Sequence, residues 1–176
     1  MYYVSLYFDP VTEERIQSMI DKVARKSGNS FMTEGRVPPH MTLAAFETQK
    51  ESDAIDIFVS CVQNMRQTEI FIPSVGMFLP NSIYLSAVLN KELFGMNLAI
   101  TMDMAEIEDC NMSKYYMPFQ WLPHITVGKT LTKDELRLAF EVLQHQFGPF
   151  KGKVTRIGLA KTNPYRDLVI YELEEC

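Results

Sequence analysis

The stretches "PHMTLAAF" (39–46) and "PHITVGK" (123–129) decide how this chain is read. Each opens Pro-His-x-Thr and continues into apolar residues. The chain has 3 histidines in 176 residues, and two of them stand in this phrase. With Pro and Thr near about 5% each, that repetition is a coincidence on the order of one in tens of thousands. Side chains two apart on a strand share a face. His40 therefore points with Thr42, and His124 with Thr126, while Met41 and Ile125 turn to the opposite, buried side. Each phrase offers an imidazole and a hydroxyl in one direction, and the prolines restrict how the chain enters the strand. By the same parity Phe46 joins His40 and Thr42 as a floor to the cleft. Strict alternation turns Lys129 away from His124 and Thr126 unless the strand bends at Gly128.

Working outward, "YYVSLYF" (2–8) alternates and reads as a strand. Asp9-Pro10 opens a helix with Ile16, Met19, Ile20 and Val23 on one face and Gly28 as its stop. A helix from Ser52 faces inward through Ile55, Phe58, Val59 and Val62. "EIFIPSVGMF" (69–78) and "SIYLSAVL" (82–89) read as two strands. A helix spans about 91–107 with Leu93, Met96, Ile100, Met104 and Ile107 at helical spacing, a core stripe rather than a cofactor box. Thr132 to Glu135 forms a capping box for a helix that Gly148-Pro149 ends, with Leu136, Phe140, Leu143 and Phe147 inward. Strands at 151–161 and 167–173 close the chain.

An order repeats along this series: helix, His-x-Thr strand, helix, strand hairpin. Gly76 follows His40 by 36 residues, and Gly158 follows His124 by 34. The expectation is an α+β chain of two related halves, roughly 1–90 and 91–176. No Gly-, Ser- or Pro-rich linker separates them, so they form one bilobal domain. In that arrangement two mostly antiparallel sheets face a central cleft, with helices outside and the His-x-Thr pairs facing each other.

Composition narrows the partners. The net charge of -5 opposes binding of a long duplex nucleic acid. Bases nevertheless outnumber acids between Asn111 and Ile170, which suits a small anion or a short strand. No run approaches the roughly 20 apolar residues of a membrane span, and the N-terminus does not read as a signal peptide. Cys61, Cys110 and Cys176 form no disulfide framework, so the chain reads as cytoplasmic and monomeric.

Two imidazoles with an unperturbed pKa near 6.5 can divide acid and base work. The neutral one takes a proton from an attacking hydroxyl and the protonated one gives a proton to a departing alkoxide. Threonine hydroxyls can bond the non-bridging phosphate oxygens as charge builds, and no metal or cofactor is required. Arg36, in the loop before His40, and Tyr115, in the aromatic run "KYYMPFQW" (114–121), are further candidates for substrate contact; Tyr116 and Trp121 of that run could also stack a base. His145 reads as a surface residue.

His40-Met41-Thr42 and His124-Ile125-Thr126 resemble the paired His-x-Thr motifs of the 2H phosphoesterase superfamily. That superfamily includes the bacterial RNA 2′,3′-cyclic phosphodiesterases, or 2′-5′ RNA ligases. The resemblance implies a bilobal fold, metal-independent cleavage of a 2′,3′-cyclic phosphate or 2′-5′ linkage in a nucleotide or short RNA end, and the two histidines as acid and base. Relatives often carry Arg where this chain has Lys129, which keeps the charge and loses the bidentate fork. Two rivals stand beside this reading. One is a non-catalytic module that binds a nucleotide or RNA end in the same cleft. The other is a metal hydrolase, which lacks a third ligand or an H-E-x-x-H spacing.

Overall fold

A computed structural model describes residues 1–35, 37–162 and 165–175. In chain order the described elements are β1 (Tyr2–Phe8), α1 (Pro10–Ser27), α2 (Phe31–Glu34), β2 (Met41–Glu47), α3 (Glu51–Val62), β3 (Thr68–Ile72), β4 (Ser74–Phe78), β5 (Ser82–Ser86), α4 (Lys91–Met104), β6 (Asn111–Met112), a 3₁₀ turn (Lys114–Tyr116), β7 (His124–Gly128), α5 (Lys133–Gln146), β8 (Phe150–Lys161) and β9 (Arg166–Glu172).

The strands form two antiparallel sheets. The larger runs β3-β8-β1-β2-β6, with β9 also paired to β8. The smaller runs β4-β5-β7. The long β8 lies along β1 on one edge; its other edge takes β3 first and then β9. Helices α3 and α4 pack on each other and on the larger sheet, while α1 and α5 pack on each other and on the smaller one. This is the bilobal α+β architecture expected from the motif order. Each sheet draws strands from both halves of the chain: the hairpin β4–β5 joins β7, and β8–β9 joins β1 and β2.

Local signals in the sequence explain most boundaries. The Asp9 carboxylate accepts from the Val11 backbone N–H, Pro10 opens α1, and Gly28 closes it at φ 77, giving its N–H to the Ala24 carbonyl. Thr132 and Glu135 make a reciprocal capping box on α5.

Two sequence expectations need correction. The run 69–78 is two strands rather than one: Pro73 has no N–H to give a ladder, and the chain leaves the larger sheet there for the smaller. On α5 the buried stripe is Leu136, Ala139, Val142 and Leu143, whereas Phe140 is 41% exposed. Helix α5 packs against α1, and the small Ala139 lies on its buried stripe. The core of β-strand and helix residues is continuous and includes the fully buried Phe8, Phe46 and Phe58. Cys61 and Cys110 are free and half-buried, and Cys176 lies outside the described residues. No helix among the described residues is long and apolar enough to cross a membrane.

Candidate active site

His40 stands immediately before β2, on the larger sheet, and His124 opens β7, on the smaller. Both are half-buried, neither sealed in the core nor fully solvated. They are held alike. His40 Nδ1 lies 2.9 Å from the carbonyl of Pro38, and His124 Nδ1 lies 2.8 Å from the carbonyl of Leu122. A carbonyl only accepts, so each Nδ1 carries the proton and donates it, which leaves Nε2 as the free ring nitrogen. In both cases the acceptor sits two residues before the histidine, across the intervening proline. The Pro-His phrase thus has a local physical use: the proline shapes a bend that brings a backbone carbonyl under the ring.

The two motif strands share a second device. Between β1 and β2, Val4 pairs Ala44 but Ser5 pairs Thr42, so Leu43 is an extra residue. Between β5 and β7, Tyr84 pairs Thr126 but Ile83 pairs Gly128, so Val127 is extra. Each His-x-Thr is therefore followed directly by a β-bulge, which inverts the parity of everything beyond it. Directly opposed residues share a face. Thr42 shares its face with Ser5, Tyr3 and hence Ala45, while Phe46 falls on the other face opposite Tyr2. Phe46 is 0% exposed and its ring stacks on Tyr2 at 5.4 Å. The expectation that it floors the cleft is corrected: the bulge turns it into the core. The same inversion works the other way on β7. Gly128 points with Ile83 toward the helices, where an added Cβ would meet Ile83 at 2.9 Å, and Lys129 returns to the face of His124 and Thr126. Its cation accordingly bears on His40. Thr130 comes next at φ 57, an outlier for a β-branched residue and a strained point in the loop that carries Lys129.

Burial above all holds both imidazoles below the usual histidine range, against the pull of the carbonyl each one bonds. Charge on His124 and on Lys129 lowers His40 further. Strands β2 and β7 pack against each other, which puts the two motifs within electrostatic reach of one another.

Aromatic rings that the sequence reading did not single out line both sides. On the smaller sheet Tyr84 stacks on Phe78 at 4.3 Å, and His124 meets Phe78 at 4.9 Å and Tyr84 at 5.3 Å. On the larger sheet Tyr7 lies 6.3 Å from His40, with its hydroxyl 3.3 Å from that of Tyr165, which in turn donates to Asp167 at 2.6 Å. The two matched glycines make room for these rings: a Cβ on Gly76 would lie 2.4 Å from Tyr84, and one on Gly158 2.9 Å from Tyr7. The signal was present as Tyr3, Ser5 and Tyr7, and as Ser82, Tyr84 and Ser86, polar-tipped residues at period two.

The remaining candidates separate. Tyr115 is 71% exposed on the 3₁₀ turn; burial raises its neighbour Tyr116 above the usual phenol range, with Thr42 acting the other way. Trp121 is buried and gives its Nε1–H to the Thr42 carbonyl at 3.0 Å, so it is not free to stack a base. Arg36 lies outside the described residues. His145 is exposed on α5. A surface groove of about 930 Å³ runs beside α1 and contains neither motif histidine. Glu13, Glu14, Asp21 and Glu172 line it, against Arg25 and Arg156, which suits an anionic substrate poorly.

The family model described as the 2′-5′ RNA ligase superfamily matches residues 9–166. The chain belongs to this superfamily. Solved structures of the same fold are similar over nearly their whole length. A crystal structure of a phosphoesterase shares 16% identity at a TM-score of 0.64, covering 99% of this chain and 98% of that one. LigT of E. coli, complexed with 3′-AMP, shares 14% at 0.61, covering 98% and 97%. TT0787 of Thermus thermophilus shares 14% at 0.62, covering 99% and 98%. LigT has also been crystallised with ATP and with NADP+. No curated protein matches the chain.

Proposed function

We propose that this protein is a phosphodiesterase that opens a 2′,3′-cyclic phosphate, or cleaves a 2′-5′ phosphodiester, in a nucleotide or short RNA end. The observation that carries this reading is the twin arrangement of His40 and His124. Each ring has Nδ1–H locked on a carbonyl and Nε2 free, each is followed by a threonine and a bulge, and the two come from different sheets. Nucleotides bound by LigT support the substrate class.

The surroundings of the two rings support a division of roles. His40, pressed by the charges of His124 and Lys129 as well as by burial, is the neutral base. Its Nε2 takes the proton of the attacking water. His124, with no such cation among the causes of its shift, carries the acid proton on Nε2 and delivers it to the departing ribose oxygen. The P–O bond to that oxygen breaks as the P–O bond to water forms, leaving His40 protonated and His124 neutral. Thr42 and Thr126 donate to the non-bridging oxygens. Lys129 adds a point charge on the same side. Two imidazoles complete the proton transfers, so the reading calls for no metal.

The test is a panel of nucleoside 2′,3′-cyclic phosphates and 2′-5′ dinucleotides, assayed after chelator dialysis with the position of the product phosphate determined. Turnover with a bell-shaped kcat/KM profile centred below pH 6.5 is expected, because both histidines titrate below their ordinary value. Binding of these compounds without product after prolonged incubation overturns the catalytic reading.

A further inference from the structure

The outer edge of β2 is incomplete where it matters. Strand β6 pairs with it only at Phe46 and Glu47, which leaves the Thr42 and Leu43 carbonyls without a strand partner on that side. Side chains take the place of a strand. Trp121 Nε1–H donates to the Thr42 carbonyl at 3.0 Å. Asn97, fully buried on α4, donates through Nδ2 to the Leu43 carbonyl at 2.9 Å and to the Tyr116 carbonyl at 2.8 Å. The bulge after Thr42 is thus pinned at both of its residues.

Trp121 does more than fill an edge. Its backbone leads straight to the other sheet. Leu122 supplies the carbonyl that holds His124 Nδ1, and the Pro123 carbonyl accepts from the Ala87 N–H at 3.1 Å. The Trp121 N–H itself is fixed to the Met117 carbonyl at 3.0 Å. One end of this short segment grips the His40–Thr42 strand through the indole, and the other end is the His124 ring. We propose that Trp121 is a positioning residue, a strut that sets the separation and mutual angle of the two His-x-Thr pairs. The activity part of this inference rests on the function proposed above. An indole has a single donor and no acceptor, so the link is directional and a phenyl ring cannot replace it. Catalysis by two groups on opposite sides of one phosphorus is sensitive to misplacement of about 1 Å, worth up to about 100-fold.

Trp121 is the only tryptophan of the chain. Biosynthetic replacement of tryptophan by benzothienylalanine therefore changes this one position, keeping the bicyclic ring and removing only the N–H; Trp121→Phe is the coarser companion. The expected result is a kcat lowered about 10- to 100-fold with KM within about 2-fold, in protein whose melting curve shows it folded at the assay temperature. Phe58→Leu, on the buried face of α3, supplies a comparably destabilised control with kcat unchanged. A kcat within about 2-fold of the parent in the benzothienyl protein overturns the strut. NMR titration of the His40 and His124 ring protons decides the matter without activity. Removal of the N–H is expected to shift both titrations and the Thr42 amide signal, and unchanged signals overturn the proposal. If the parent protein turns over none of the panel, the functional reading fails while this titration still tests the strut.

Discussion

The strand after His40 and the strand after His124 are built alike as far as the threonine and differ beyond it. Both tie Nδ1 to the carbonyl two residues back, and both bulge at the residue after Thr. Past the bulge, β2 presents Ala45 where β7 presents Lys129. The first strand is a spine of the larger sheet, flanked by β1 and braced by Trp121 and Asn97. The second is an edge strand that pairs only with β5 and ends in the strained Lys129-Thr130 loop. A common frame places two equal imidazoles, and the residues past the bulge make them unequal: at His40 a cation adds to the lowering that burial and His124 produce, and none is among the causes that lower His124.

The hardest test of the likeness is removal of the rings. His40→Ala and His124→Ala should each lower turnover about 1,000-fold or more while the melting transition persists; near-normal rates in either one break the pairing. Next come the hydroxyls. Thr42→Val and Thr126→Val should each cost about 100-fold in kcat, measured on the best substrate of the panel. A loss confined to one of them would mark the phosphate as lying against a single lobe. The unlikeness is probed by Lys129→Ala. KM for an anionic substrate should rise about 10-fold, and the acid limb of the kcat/KM profile should move to higher pH, since the lysine holds His40 down. An unmoved limb would separate Lys129 from His40.

Stability sharpens the comparison at the glycines. Gly76→Ala drives a Cβ into the Tyr84 ring and should cost about 1–3 kcal/mol in a denaturant titration. Gly158→Ala meets Tyr7 less severely and should cost less. The smallest effect is with pH. Both folded histidines lie below their unfolded value, so below about pH 6.5 the unfolded chain binds protons first. Melting temperature should fall as pH drops through that window and stay level above it, with His40→Gln flattening the slope.

Much of this was legible in the residues. The doubled Pro-His-x-Thr, the caps of α1 and α5 and the alternation of β1 are local signals, and they specify local structure. What the sequence hides is non-local. A bulge is visible only in the partner strand's register, so period-two reasoning places Phe46 inward to the cleft and leaves Lys129 outside it, each reversed by one extra residue. Pro73 can be read as a strand interruption but not as a change of sheet. Tyr7 and Trp121 depend on Tyr165 and Thr42, 158 and 79 positions away, and no short window along the chain contains both partners.

The place of β1 has its own consequence. It lies between β2 and β8, with Tyr2 opposite Lys161. Its second partner begins only at Phe150, so the larger sheet, and the bench on which His40 rests, cannot close until the chain has been made past that point. A chain cut short before β8 should emerge with an open sheet edge and depend on chaperones, however complete its first histidine phrase looks on paper.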